Sequence, residues 1–152
     1  MKKFEYLLVG AFAAVGATVI EIILDSLRLE VKVINSEVLF LVLFVFIEEL
    51  AKFLVIWIKI NFLDKLEIIL GQCLWIGLGF GLLEFGLLSL NGSAIYSGNT
   101  LAIAAVLVIH IATTLLIGLM LARLKNNGYY SALAITPALV LHLAFNYWIF
   151  IR

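Results

Sequence analysis

The chain has 152 residues, 65% of them hydrophobic and 13% charged, with a mean hydropathy of +1.21 and no net charge. Soluble domains are about half apolar and about a quarter charged, so apolar runs this long and frequent exclude a soluble core and indicate an integral membrane protein. The zero net charge leaves no electrostatic footprint for nucleic acid, and the single cysteine, Cys73, excludes an internal disulfide.

Apolar segments long enough to cross the hydrocarbon core recur along the whole chain. A helix needs about 20 residues, at ~1.5 Å each, to cross ~30 Å. The first segment follows a basic start, "MKK", but continues to about Leu24, so it reads as a membrane span rather than a signal peptide. We therefore predict one all-α transmembrane domain over residues 1–152, a bundle of about five helices with a polar site in its interior. The predicted spans are 5–25, 36–59, 68–90, 100–122 and 129–151.

Lysine and arginine in the short loops predict the orientation of the bundle, because cytoplasmic loops carry an excess of these residues. With the N-terminus inside, the cytoplasmic basic residues are Lys2, Lys3, Lys59, Lys65, Arg123 and Lys125, and those outside are Arg28, Lys32 and Arg152. This bias favours a multi-pass protein of the cell membrane with a cytoplasmic N-terminus.

Small residues recur where helices could pack closely. The first span has Gly10, Ala14 and Ala17, and the third has Gly77 and Gly81 in a G-x-x-x-G pattern. Small residues at this spacing let helix backbones approach each other in lipid, so we predict that these positions lie at helix contacts.

Polar residues occur in the middle of each of the last four spans. The pairs spaced four residues apart are Glu48–Lys52 (with Glu49 adjacent), Phe80–Glu84, His110–Thr114 and His142–Asn146. This spacing puts both members of a pair on one helix face. Counting from the middle of each span places the ionisable groups within a layer of roughly 10 Å.

Such groups are costly in a membrane unless they share a cavity, bond to each other or become neutral. Two adjacent glutamates are not expected to be ionised together in a low dielectric, whereas Lys52 can hold one as a carboxylate. One shared site explains the four helices better than four unrelated structural clasps, and it would offer groups for general acid–base chemistry. Thr113 and Thr114 are expected to bond back to their own helix carbonyls. Glu21 is expected to be interfacial, without a role.

The motifs "EELAK", "FGLLE", "HIATT" and "HLAFN", in this order on successive spans, resemble the PrsW family of intramembrane proteases, in the wider group with the type II CAAX prenyl proteases (CPBP or Abi). Lys52 and Glu84 favour the PrsW side, because the CAAX proteases have arginine and histidine in the corresponding motifs. The resemblance covers residues 48–146. It implies a catalytic set of Glu48, Glu49, Glu84, His110, His142 and Asn146, with Lys52, Phe80 and Thr114 in support.

The expected activity is hydrolysis of a peptide bond in a membrane-anchored protein, without a cofactor. Glu48, aided by His110 or Glu84, would take a proton from water, and His142 and Asn146 would donate hydrogen bonds to the oxyanion. A zinc site of Glu84, His110 and His142 is a variant that we do not favour, because no H-E-x-x-H motif is present. Two other classes stay open. One is a non-catalytic scaffold, since the resemblance extends to a γ-secretase subunit with two membrane histidines; the other is a proton-coupled transporter.

Overall fold

The structure, a computed structural model, describes residues 2–31, 37–90, 100–124 and 131–151. Within these ranges the chain is all-helical, as predicted, and no strand is present. The elements are α1 (Lys2–Val31), α2 (Glu37–Lys59), α3 (Leu66–Leu90), α4 (Thr100–Leu124), a 3-10 turn (Ala132–Ile135) and α5 (Thr136–Ile151). Tyr129 and Tyr130, at the start of the fifth predicted span, lie outside the described residues, as do Lys32, Lys125 and Arg152 of the orientation argument.

Four helical stretches of the described chain are long and apolar enough to cross a membrane. They are Lys2–Leu27, Leu66–Leu90, Ala104–Leu124 and Ala132–Ile149. Helix α2 has the length, at 23 residues, but it carries Glu48, Glu49 and Lys52 at its centre, and three charges in one apolar run set it apart from the others. A multi-pass membrane protein is therefore supported, and the fifth crossing stays a prediction.

The ends of the helices follow from local chemistry. After α2, the Asn61 side-chain oxygen accepts a hydrogen bond from the Leu63 backbone N–H at 3.1 Å, and Asp64 N–H donates to the Asn61 carbonyl at 3.1 Å. These bonds replace the helical ladder and turn the chain toward α3 within a few residues. Pro137 lies in the first turn of α5, directly after the 3-10 turn, at a position where helices tolerate proline.

Glycines on α3 bring three helices together. A methyl group added at Gly77 would lie 2.9 Å from the Ile111 Cα, and one at Gly81 would lie 3.2 Å from the Leu107 Cα, so this pair packs directly on α4. Both contacts confirm the prediction from the G-x-x-x-G pattern. The opposite face of α3 packs equally closely on α1, where a methyl at Gly79 would meet the Leu7 carbonyl.

The small residues of α1 lie on the face that packs inward. Gly10 lies directly against the Ile76 backbone of α3, and Ala14 and Ala17 are buried beside Phe80, as the sequence predicts. A second buried cluster, which includes Ile56, Ile76 and Ile117, fills the space between α2, α3 and α4. Phe80, which is buried with Ala14 and Ala17, also contacts Lys52 of α2 and His110 of α4.

Candidate functional site

The centre of α2 directs a buried ion pair inward. Glu49 and Lys52 are each 0% exposed, and Lys52 Nζ lies 2.6 Å from Glu49 Oε1. The spacing of three residues brings the two side chains onto one helix face. A second hydrogen bond of 3.0 Å joins Lys52 Nζ to the Thr113 hydroxyl on α4. Lys52 therefore fixes one carboxylate, as the resemblance implies, and that carboxylate is Glu49.

The same oxygen of Glu49 holds His142 of α5. His142 Nδ1 lies 2.6 Å from Glu49 Oε1, and the imidazole is almost fully buried. Because the Lys52 ammonium can only donate to this oxygen, Oε1 acts as an acceptor and Nδ1 carries the proton. In the neutral ring, Nε2 is then a free acceptor. The chain Lys52–Glu49–His142 thus sets both the orientation and the tautomer of the imidazole.

Glu48 is held much less firmly than its neighbour. Its Oε2 lies 3.6 Å from His142 Nε2, which is too far for a direct hydrogen bond, and this oxygen has no hydrogen-bond partner among the described residues. One residue along a helix rotates a side chain by about 100°. Glu48 consequently leaves α2 in a different direction from Glu49: it faces the other nitrogen of the His142 ring and lines a cavity between α1, α2 and α3.

A second carboxylate–imidazole pair joins α3 to α4. A Glu84 carboxylate oxygen contacts Nε2 of His110, whose side chain is 0% exposed. The rings of His110 and His142 meet edge to face, with centroids 5.1 Å apart and an interplanar angle of 86°. This contact links the Glu84–His110 pair to the Lys52–Glu49–His142 chain, so one cluster includes side chains from four helices.

Phe80 forms one wall of the cluster. Its ring centroid lies 5.0 Å from that of His110, and Lys52 Nζ lies 4.7 Å from it on the ring face. A cation over an aromatic face is attracted by the ring quadrupole, which supplements the charge on Glu49 in stabilising the ammonium. Phe80 thus contacts two members of the cluster, and its supporting role stays a prediction.

Thr114 takes a structural position. Its hydroxyl donates a 2.6 Å hydrogen bond to the His110 carbonyl one turn earlier, as expected from the sequence. Thr113 donates a longer bond of 3.3 Å to the same carbonyl and also accepts from Lys52. Thr113 is therefore the threonine that contacts Lys52. The i, i+4 pairing of His110 with Thr114 did not indicate this.

The structure brings together five of the six residues expected in the catalytic set: Glu48, Glu49, Glu84, His110 and His142. Asn146 lies one turn after His142 on α5, partly buried, and takes no part in the hydrogen bonds and ion pairs given above. Glu21, for which an interfacial position without a role was expected, lines the same cavity as Glu48 and Glu84. A signal for this was present, because Glu21 continues the inward face of Gly10, Ala14 and Ala17 at helical spacing.

Four of these side chains could hold a metal ion. Glu48, Glu49, His110 and His142 each offer one ligand atom, and these atoms all lie within 4.8 Å of one another. Ligands in a tetrahedral zinc site, with bonds of about 2.1 Å, are about 3.4 Å apart. Binding would therefore require the widest pairs to close by more than about 1 Å, and would compete with the His142–Glu49 hydrogen bond.

The chemistry that the cluster can support is acid–base chemistry with an activated water. None of the side chains that form it is a serine or cysteine; Cys73 is buried in the cluster of Ile56, Ile76 and Ile117 and packs against Gly118. The available groups are one fixed carboxylate, one loosely held carboxylate, two imidazoles and a buried ammonium. Comparison with known proteins found no matching family model, no similar curated protein and no similar solved structure.

Proposed function

We propose that the protein is an intramembrane endopeptidase that hydrolyses a peptide bond of a membrane-anchored protein with a glutamate-activated water. The observation that carries the proposal is the arrangement around His142. Nδ1 is held by Glu49 at 2.6 Å, and Nε2 faces Glu48 Oε2 across 3.6 Å. A polar gap of that width is commonly bridged by a water. The motif resemblance to PrsW-like and CAAX proteases points to the same residues.

In this proposal α2 is a fifth membrane crossing and the cluster is a polar site inside the bundle. A helix of 23 residues is about 34 Å long, which is sufficient to span the hydrocarbon core. Its charged residues Glu49 and Lys52 are fully buried, so they face protein rather than lipid. The N-terminus is assigned to the cytoplasm from the basic residues in the loops, and the protein to the cell membrane.

The water would sit between two acceptors. Glu48 Oε2 and the unprotonated Nε2 of His142 could each accept one of its hydrogens, which leaves an oxygen lone pair directed at the substrate carbonyl. In this mechanism Glu49, itself bound by Lys52, holds the His142 ring in the tautomer with a proton on Nδ1. This arrangement assigns His142 to positioning the water, whereas the resemblance suggested an oxyanion donor.

Hydrolysis would then proceed without a covalent enzyme intermediate. The water oxygen bonds to the carbonyl carbon as Glu48 takes one proton, and the Asn146 amide is the donor assigned to the oxyanion. The C–N bond breaks as Glu48 passes this proton to the leaving nitrogen. The products are a carboxylic acid and an amine, and Glu48 returns to its carboxylate form.

The test is proteolysis of a library of membrane-anchored peptides in nanodiscs, read by mass spectrometry in ¹⁸O-labelled water. A hydrolase would incorporate one labelled oxygen into the new carboxyl terminus. Glu48→Gln should lose cleavage by at least about 100-fold, whereas Glu37→Gln, an exposed glutamate at the start of the same helix, should retain it. Equal cleavage by Glu48→Gln and the parent would contradict the assignment.

The two alternative classes have distinct outcomes. A proton-coupled transporter would acidify sealed vesicles in response to a gradient and lose that flux in Glu48→Gln, without producing peptide fragments. A non-catalytic scaffold would show neither fragments nor flux. Either result, obtained with correctly folded protein, would replace the protease proposal.

A further inference from the structure

A cavity of about 200 Å³ opens directly beside the candidate site, between α1, α2 and α3. Glu48 and Glu84 line it, together with Glu21, Thr18, Ala17 and Phe80. Within the cluster, Glu49 and His110 are 0% exposed, whereas the side chains of Glu48 and Glu84 are 14% and 26% exposed. The least buried side chains of the cluster are therefore the two that line this cavity.

Glu21 differs from the other carboxylates around the cavity. Glu49 is held by Lys52 and His142, Glu84 contacts His110, and Glu48 lies 3.6 Å from His142. Glu21 has no nitrogen partner among the described residues, although its Oε1 is inaccessible to solvent. A carboxylate oxygen that is removed from water without a partner is unfavourable, and a cation beside it would offset that cost.

The charge balance of the cavity points to the same kind of ligand. Three carboxylates line it, and among the described lining residues none is a lysine, an arginine or a histidine. The Oε2 of Glu48, which also has no hydrogen-bond partner among the described residues, is inaccessible as well. An opening lined by acidic side chains and no basic ones favours a cation over an anion.

We propose that this cavity is the polar entrance of the site, and that Glu21 is a specificity-determining residue that selects a substrate segment carrying lysine or arginine near the cleaved bond. The substrate named in this inference rests on the proposed function. The selectivity of the opening for cations does not depend on it. The ammonium or guanidinium group would bind Glu21, while its aliphatic stem would pack along Ala17 and Phe80. Neither Glu21 nor any residue of α1 belongs to the motifs that carry the family resemblance.

The experiment is cysteine labelling, which needs no catalysis. Leu88, on the α3 side of the cavity, is replaced by cysteine in a Cys73→Ala background, with Thr18→Cys as a second reporter on α1. Modification rates are measured with two methanethiosulfonates of similar size, one bearing trimethylammonium and one bearing sulfonate. After correction for intrinsic reactivity, the cationic reagent should react faster by roughly threefold or more, because the acidic side chains that line the cavity attract it.

Glu21 is then tested in the same background. Glu21→Gln should lower the cation-to-anion rate ratio by roughly threefold, and Glu21→Asp should preserve it. The matched control is Glu5→Gln, an exposed glutamate at the other end of α1, which should leave the ratio unchanged. Each variant must elute as the parent does in size-exclusion chromatography, which shows that it is folded. The comparison of the two reagents on the parent protein needs no Glu21 variant.

Protection by peptides tests the substrate class. A membrane-anchored peptide with lysines beside its central bond should slow the labelling of Cys at position 88, and the same peptide with glutamates should not. Equal rates for the two reagents, no reaction at either reporter, or equal protection by both peptides would each overturn the inference. Selective labelling in a protein that cleaves nothing would support the entrance and count only against the protease.

Discussion

Replacing Lys52 with methionine tests whether the buried contacts of Lys52 with Glu49, and of Glu49 with His142, stabilise the fold. The ammonium is fully buried and lies 2.6 Å from Glu49 Oε1, 3.0 Å from the Thr113 hydroxyl and 4.7 Å from the Phe80 ring centroid. At 2.6 Å the attraction between two unit charges is roughly 6 kcal/mol for an effective dielectric constant near 20. Desolvation offsets part of this attraction, and removing one partner of a buried pair typically costs roughly 3–5 kcal/mol because the other charge is left uncompensated.

The measurement is unfolding of Lys52→Met in mixed micelles, followed by tryptophan fluorescence. We expect a loss of roughly 3–5 kcal/mol, or a fall in Tm of roughly 10 °C for a chain of this size. Lys59→Met is the control, since Lys59 is an exposed lysine at the end of the same helix. Adding Glu49→Gln to Lys52→Met should restore at least about half of the loss, because it removes the stranded charge. Two results would contradict this reasoning. One is that Lys52→Met is as stable as Lys59→Met, and the other is that the double variant is no more stable than Lys52→Met alone.

Three further predictions concern packing, the two glutamates and metal. Gly77→Ala should destabilise the protein by roughly 1–3 kcal/mol, because the new methyl lies 2.9 Å from the Ile111 Cα, whereas Gly86→Ala, which has open space around it, should be neutral or stabilising in the same unfolding assay. Glu49→Gln should lower both stability and cleavage, while Glu48→Gln should abolish cleavage with a free energy of unfolding within about 1 kcal/mol of the parent. An equal loss of stability in the two variants would contradict their different roles. Cleavage should survive treatment with a strong chelator, with less than one metal per chain by elemental analysis; inhibition by the chelator together with stoichiometric zinc would assign Glu48, Glu49, His110 and His142 to a metal site.

The helical fold was predictable from the sequence because length and hydropathy determine it almost alone. Runs of about 20 apolar residues must satisfy their backbone hydrogen bonds internally in lipid, which leaves helices as the solution. The G-x-x-x-G contact of Gly77 and Gly81 was also predictable, since small residues allow close approach. The packing of Gly79 on α1 was not, because a glycine between two others carries no sign of which neighbour it will meet.

The cluster was predictable in its membership but not in its connections. Midpoint counting put Glu48, Glu49, His110 and His142 at one depth, and the structure joins them. It could not say which glutamate Lys52 would bind, because spacings of three and four residues are equally compatible with contact along a helix. Counting also gave no sign that Glu21 lines the cavity, because it considers only the distance from the end of a span and not the face of α1 on which a residue lies.

The different surroundings of two adjacent glutamates are the strongest reason to regard the cluster as more than a clasp between helices. A clasp needs Glu49, Lys52 and a partner on another helix, and the contacts to Thr113 and His142 supply these. It does not need Glu48, whose buried oxygen has no hydrogen bond among the described residues and whose burial in an apolar helix has a free-energy cost. A scaffold would be more stable with an apolar residue at that position. A site that positions a water needs a carboxylate held loosely enough to exchange a proton, next to an imidazole held tightly enough to keep its orientation, and Glu48 and His142 meet these two requirements.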